Sequence, residues 1–351
     1  AGLYFVHLLD GNLPEALQAA RRLKSLSSEH GFLYAESWGV YGQALVHLYQ
    51  NDLEKALRHF SWLADNCYTM HTRNAVDSLC GLLLLYQLSS QSNKVAETTQ
   101  LLLDFALKTN DPTSVMFVES CQARLALMQG DIPAAWRWLQ TADLSADQEI
   151  MLFWIEVPRI TACRVLVAEG SAASLEKAIA NLRNYQEENL ALHHNYQVIT
   201  ILPLLALAYH KLEQDEKALA VLEEALALAA PGRWIWPFIE LGSPMAELLR
   251  ELKRQDITSE LAAQIDKLLI AFLSLTSPPA PSVNLQLSSP LTERELQVLG
   301  LLATKLSTGE IADQLFVSIN TVRMHTKSVY SKLDVHSRLE AIERARELEL
   351  I

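Results

Sequence analysis

The sequence predicts an all-α protein: an α-solenoid of stacked helical hairpins followed by a small four-helix domain. Three observations predict it. A helix-start pattern recurs six times at a nearly constant interval in the first 230 residues. A Pro/Ser-rich stretch then breaks the helical pattern, and the segment from Leu291 to Ile351 carries closely spaced helix-capping signals.

The repeated starts are Leu13-Pro14-Glu15-Ala16-Leu17, Leu53-Glu54-Lys55-Ala56-Leu57, Val95-Ala96-Glu97, Ile132-Pro133-Ala134-Ala135-Trp136, Leu175-Glu176-Lys177-Ala178-Ile179 and Glu216-Lys217-Ala218-Leu219. Their central alanines, Ala16, Ala56, Ala96, Ala135, Ala178 and Ala218, are spaced by 40, 40, 39, 43 and 40 residues. Leu8, Leu48, Leu88 and Leu127 stand eight residues before the first four. Turn formers lie between: Gly11-Asn12, Asn51-Asp52, Ser92-Asn93, Gly130-Asp131, Gly170-Ser171 and Gln214-Asp215.

This is the pattern of a helical hairpin. The first helix stops at the turn, and the second begins with Pro or a carboxylate, which its first turn accommodates. A small residue facing the first helix lets the axes approach. One hairpin cannot bury its apolar stripe, so neighbours stack, and a right-handed superhelix is expected over residues 1–275. Two more helices are expected there, Met245 to Lys253 and Ser259 to Leu273, after interruptions at Pro231-Gly232 and Pro237. The stretch 276–290, Thr276-Ser277-Pro278-Pro279-Ala280-Pro281-Ser282 to Ser288-Ser289-Pro290, reads as a semi-extended linker.

Composition narrows the function classes. Hydrophobic residues make up 50% of 351, enough for a sizeable core, with no apolar run long enough for a transmembrane helix. Leu3 to Leu9 lacks the basic flank of a signal peptide. The chain opens at Ala1, apparently within a helix, so a fragment of a longer protein is expected. Cys67, Cys80, Cys121 and Cys163 have neither disulfide-framework nor zinc spacing, which fits a reducing cytoplasm. The net charge of −12 argues against nucleic-acid binding by the chain as a whole. The last segment, however, carries eight Lys/Arg against nine Asp/Glu, so any DNA contact must come from a local basic patch there.

In residues 291–351, Thr292-Glu293-Arg294-Glu295, Ser307-Thr308-Gly309-Glu310 and Ser337-Arg338-Leu339-Glu340 are S/T-x-x-E capping boxes, and Ser318 is a further N-cap. The expected core is Leu296, Leu299 and Leu302; Ile311, Ala312 and Leu315; Val322, Thr326, Val329 and Leu333; and Leu339, Ile342 and Ala345. Phe316-Val317 is a turn of helix-turn-helix size. The third helix presents Asn320, Met324, Lys327 and Ser331, with Arg323 at the edge. From Ser318 to Lys332 there are three basic residues and no acid. Arg or Lys can donate to guanine in a major groove, and an apolar side chain can meet the thymine methyl. On charge alone, a solvated basic face is the simpler reading.

Leu291-Thr292-Glu293-Arg294-Glu295, Glu310-Ile311-Ala312-Asp313-Gln314-Leu315, Val317-Ser318-Ile319-Asn320-Thr321-Val322-Arg323-Met324-His325, and Lys332-Leu333-Asp334-Val335 through Arg338 and Ala341 closely resemble the LuxR/NarL/FixJ-type DNA-binding domain. The resemblance implies base reading by Arg323, Met324 and Lys327. It implies DNA-backbone contacts by Thr321 and Lys332, and dimerisation on DNA through the fourth helix. The family usually has Gly where Lys305 stands and Asn where Thr308 stands; the Thr308 hydroxyl still suits a phosphate contact. The repeat period resembles a tetratricopeptide repeat with longer helices. The whole chain resembles the C-terminal half of the large MalT-like activators, with Phe238-Ile239-Glu240-Leu241-Gly242-Ser243-Pro244-Met245 matching the segment after their last repeat. In such activators an ATP-binding switch precedes a superhelical sensor. No G-x-x-x-x-G-K-[ST] occurs here, so that domain would lie upstream of Ala1.

The remaining candidates are weaker. Cys67-x-x-x-His71, even with Cys80, lacks a fourth ligand, and His193-His194 lies near a helix end. No catalytic arrangement is legible, so neither an enzyme nor a metal or cofactor site is expected in this chain. Trp136, Trp138, Trp154, Trp234 and Trp236 suit core packing, or else a concave aromatic surface for a small molecule or a partner segment. The acidity of the solenoid favours cationic or neutral ligands there. Taken with the resemblances, the expected function is a sequence-specific DNA-binding transcriptional activator. Its expected partners are promoter DNA, RNA polymerase, further copies of itself on DNA, and an inducer or regulatory protein on the superhelix. The alternative is a helical-repeat interaction scaffold whose helix-turn-helix no longer reads DNA.

Overall fold

The computed structural model describes residues 2–109, 111–144, 153–276, 291–304, 306–315, 317–333, 335, 337–347 and 350. Most of the linker expected at 276–290, together with Lys305, Phe316 and the side chains of Asn320 and Leu339, lies outside the described residues. Among those described there is no β-strand, and the chain divides into two compact units, Ala1–Ser277 and Pro278–Ile351.

The first unit is a tetratricopeptide-like solenoid. Six hairpins follow one another: α1 (Gly2–Leu9) with α2 (Leu13–Glu29), α3 (Leu33–Tyr49) with α4 (Leu53–Asp65), α5 (Thr72–Leu88) with α6 (Ser92–Thr109), α7 (Pro112–Met128) with α8 (Ile132–Thr141), α9 (Pro158–Glu169) with α10 (Ala172–Ala191), and α11 (Asn195–Lys211) with α12 (Asp215–Ala229). The short α13 (Trp236–Ile239), α14 (Gly242–Lys253) and α15 (Ser259–Thr276) complete it. Thr276, expected in the linker, is the last residue of α15.

The turn inside every hairpin contains one left-handed residue: Gly11, Asn51, Ser90, Gly130, Gly170 or Glu213. In the first two turns the next N–H reaches back to the preceding helix, Asn12 to His7 O and Asp52 to His47 O. This Schellman geometry satisfies orphan carbonyls. That same next residue then caps the second helix, and Asn12, Asp52, Asp131 and Ser171 each accept an N–H from three residues on. Glycine takes the left-handed conformation freely, whereas Ser90 and Glu213 hold it at roughly 1 kcal/mol or more.

The geometry corrects the repeat register in two places. The residue that faces the first helix stands four after the cap. It is Ala16, Ala56, Ala135 and Ala218 in four hairpins, but Val95 in the third and Leu175 in the fifth, all buried. Ala96, one step round the helix, is exposed, and Ala178 is buried one turn further along α10. The third turn also sits at Ser90, earlier than Ser92-Asn93.

Among the described residues, the first helices of the second, third and last hairpins face inward along most of their length. α5 is buried without a break from Arg73 to Tyr86, α11 from Tyr196 to Tyr209, and α3 from Gly39 to Tyr49. The segment after α12 meets the turns of the first two hairpins. Trp234 Nε1 donates to Gly11 O at 2.8 Å, Ile235 N–H donates to Tyr49 O at 2.8 Å, and the Gln50 amide donates to Gly232 O at 3.2 Å. A side chain at Gly232 would lie 2.3 Å from Gly11 O, so this seam requires glycine there. Trp154, Trp234 and Trp236 are therefore core residues and do not form an exposed aromatic surface.

A non-helical strap, Phe153 to Val157, passes between these inner helices. The Asp77 carboxylate on α5 accepts the N–H groups of Ile155 and Glu156 at 3.0 and 2.9 Å, and the Tyr41 hydroxyl. Arg73 donates to Glu156 O and lies 3.4 Å from the Phe117 ring centre. The fully buried Glu156 carboxylate accepts from Ser120, Thr161 and Arg124. Arg124 also donates to Ile155 O at 2.8 Å and pairs with Glu240, which pairs in turn with Arg164. Three guanidinium groups thus balance three carboxylates inside the solenoid. A buried charge is costly unless it is paired, and each of these six groups has an opposite charge beside it.

Candidate nucleic-acid interface

The second unit contains α16 (Glu293–Leu302), α17 (Thr308–Gln314), α18 (Ile319–Leu333) and α19 (Arg338–Glu347). Thr292 with Glu295 and Ser307 with Glu310 form reciprocal capping boxes, and Ser337 Oγ accepts the Glu340 N–H at 3.2 Å. Ser318 caps α18 by accepting the Thr321 N–H at 3.1 Å. These local signals fix where each helix starts, and so fix the direction of α18.

Two apolar clusters hold α18 from both sides. Val298, Leu302, Ile311, Ala312 and Val322 join α16, α17 and α18. Leu299, Val329, Leu333, Ala341 and Ala345 join α16, α18 and α19. Leu296 and Thr326, expected in the core, lie outside these clusters: Leu296 is exposed and Thr326 half-buried, while Val298 and Ala341 take core places instead.

With that stripe buried, Arg323, Met324, Lys327 and Ser331 face solvent, and Met324 is 69% exposed. Thr308, at the start of α17, shares with Arg323, Lys327 and Ser331 an open depression of about 510 Å3. Thr321 is half-buried, its hydroxyl 2.8 Å from Ser318 Oγ. The structure thus brings Thr308, Arg323 and Lys327 together. Met324 shares their exposed helix face without lining the depression.

Lys332 stands elsewhere. It lies nine residues from Arg323, which is half a turn round the helix. Its side chain is 16% exposed, and its ammonium meets Glu295 Oε2 at 2.7 Å. Ser328 Oγ donates to the other Glu295 oxygen at 2.6 Å, and the Thr292 N–H donates to Oε2 at 2.6 Å. Burial alone would raise the Glu295 pKa, but Lys332, Ser328 and Thr292 outweigh it and pull it to about 2. Lys332 thus clamps α18 to α16, so the DNA-backbone contact implied for it would have to come from an ammonium already paired with Glu295, and the exposed face of α18 offers Arg323 and Lys327.

Sequence reasoning also missed two anchors. Arg294 donates to Leu315 O at 2.7 Å, and Arg338 donates to the carbonyls of Leu302, Thr304 and Leu306 at 2.7–2.9 Å. Both satisfy helix-end carbonyls, and neither is available to read a ligand. Cys67, Cys80, Cys121 and Cys163 are buried free thiols, and among the described residues no three His, Cys, Asp or Glu gather as a metal site. Among the described residues no helix is long and apolar enough to cross a membrane.

Comparison with known families decides the relationship. Residues 5–255 match the MalT-like TPR region. The chain belongs to this MalT-like family. Residues 289–345 match the luxR family of bacterial regulatory proteins. The HTH-type transcriptional regulator MalT of Serratia proteamaculans (strain 568) is 31% identical over 244 residues, covering 63% of this chain and 26% of that protein. MalT of Yersinia enterocolitica is 30% identical over 245 residues, with the same coverage. MalT of Yersinia pestis (strain Pestoides F) is 33% identical over 159 residues, covering 40% of this chain and 17% of that protein. The longer of these matches cover about a quarter of the relatives' length.

Proposed function

We propose that this MalT-like chain is the sensing and DNA-reading part of a transcriptional activator. α18 enters the major groove, where Arg323 and Lys327 donate to base edges and Met324 meets a thymine methyl. Thr308 and Thr321 contact the DNA backbone. The solenoid receives an inducer or regulatory protein, copies self-associate on adjacent half-sites, and RNA polymerase is the downstream partner. One observation carries this reading: an exposed, acid-free Arg323–Met324–Lys327 face on a helix that two apolar clusters hold rigid. A reading element must be supported by packing on both sides, and α18 has such support.

Selecting duplexes from a random library with the intact chain tests it. The expected outcome is enrichment of a defined half-site, repeated at about 10–10.5 base-pair spacing or a multiple of it if two copies dock side by side. Recovery of unenriched sequence would favour the interaction scaffold.

A further inference from the structure

Beyond the buried charge network, the C-terminal ends of α5, α7, α9 and α11 surround a cavity of about 380 Å3, bounded also by α13 and the start of α14. That volume suits one small molecule. Most of the wall is apolar, with Leu84, Leu127, Val167, Leu204, Leu207 and Trp236.

Its polar groups are nearly all donors. Arg124, Arg164 and Lys211 line it against one carboxylate, Glu240. Glu240 is bridged by Arg124 and Arg164, and Arg124 is shared with Glu156, so these charges cancel. Lys211 remains. Its ammonium donates to Val167 O at 2.8 Å, and burial pulls its pKa down, with no carboxylate among the described residues to offset it. It is also the one exposed residue among the cavity's lining residues. Trp236 and Arg164 also line the wall, but their Nε1–H and Nε–H groups are sealed from it, so Lys211 is the donor that an incoming ligand can reach.

We propose that this cavity binds a small apolar monocarboxylate. The tail lies among the leucines and Trp236, and the carboxylate meets the Lys211 ammonium. The proposal deepens the sensing role and rests on that reading. It runs against the acidity of the solenoid as a whole, because a ligand responds to the charge of its own pocket, and the wall here carries one uncompensated cation.

Calorimetric titration of the intact chain tests it, with octanoate and 4-phenylbutyrate as probes against the matched primary amides. The acids are expected to bind at least tenfold more tightly than the amides. Lys211→Met, at a half-exposed position outside the buried network, should erase that preference while leaving the weak amide binding. Leu207→Trp, which fills the cavity, should abolish both. Equal affinity for acid and amide, no binding of either acid, or acid binding unchanged in Lys211→Met would overturn the proposal. DNA affinity measured with and without the bound acid separates the two readings. A change in affinity that Lys211→Met removes supports both. Acid binding with unchanged DNA affinity leaves the cavity site standing and removes the sensing role.

Discussion

Asp77→Ala is expected to cost the solenoid about 3–5 kcal/mol, the loss that follows when one member of a buried charged network is removed. The substitution leaves the Arg73 guanidinium without its carboxylate and strands the N–H groups of Ile155 and Glu156. It also removes one of the two α5 side chains that hold the strap, leaving Arg73 on the same helix and Arg124 on α7 to hold its carbonyls. Asp77→Asn keeps one acceptor oxygen and should fall between wild type and Asp77→Ala. All seven tryptophans lie between Trp38 and Trp236, so tryptophan fluorescence during urea unfolding reports on this unit alone. A loss below about 1 kcal/mol, the size of an ordinary surface substitution, would mean that the network does not hold the strap in place.

What the sequence made legible follows from the range of the interactions involved. Turns, caps and the helix-start period are local, and they gave the six hairpins, the start of α18 and its outward face. Even there the small-residue rule misplaced Ala96, because a valine took the inward position and the alanine fell one step round the helix. The strap could not be anticipated, since Asp77 meets Ile155 and Glu156 across some 80 residues with no periodic signal. The seam between Trp234 and Gly11 is longer still in sequence. The Lys332–Glu295 pair was illegible for the same reason. On the linear chain Lys332 is one more cation on a basic helix, and only the fold shows Glu295 opposite it, 37 residues away. Hints were present: Arg73, Asp77 and Arg124 interrupt helices that are otherwise apolar on those faces.

Glu295 gives the second large effect. Its pKa in the folded unit is about 2, against an ordinary value of 4.5, so it contributes stability that is fully present above the ordinary value. That stability is lost as pH falls from about 4.5 through about 2. Thermal unfolding of the Pro278–Ile351 unit, followed by circular dichroism, should therefore show a melting temperature that drops over this window. Glu295→Gln should melt lower at neutral pH and lose most of the acid dependence. Lys332→Met should do the same in part, because the Thr292 and Ser328 bonds to Glu295 remain. Unchanged melting in Glu295→Gln would show that the clamp between α16 and α18 is not what fixes α18.

The central claim is that the exposed face of α18 reads DNA while Lys332 holds the helix that carries it. The measurement closest to that claim is the affinity of the intact chain for a selected duplex and for a random one, at several salt concentrations. Arg323→Ala and Lys327→Ala should each cost about 1–3 kcal/mol on the selected duplex and lower the specific-to-random ratio. Lys332→Met, at a temperature where the unit stays folded, should leave that ratio and the salt dependence unchanged, since its charge is already spent on Glu295. An unchanged ratio in Arg323→Ala and Lys327→Ala, or a salt slope shallower by about one in Lys332→Met, would contradict the account.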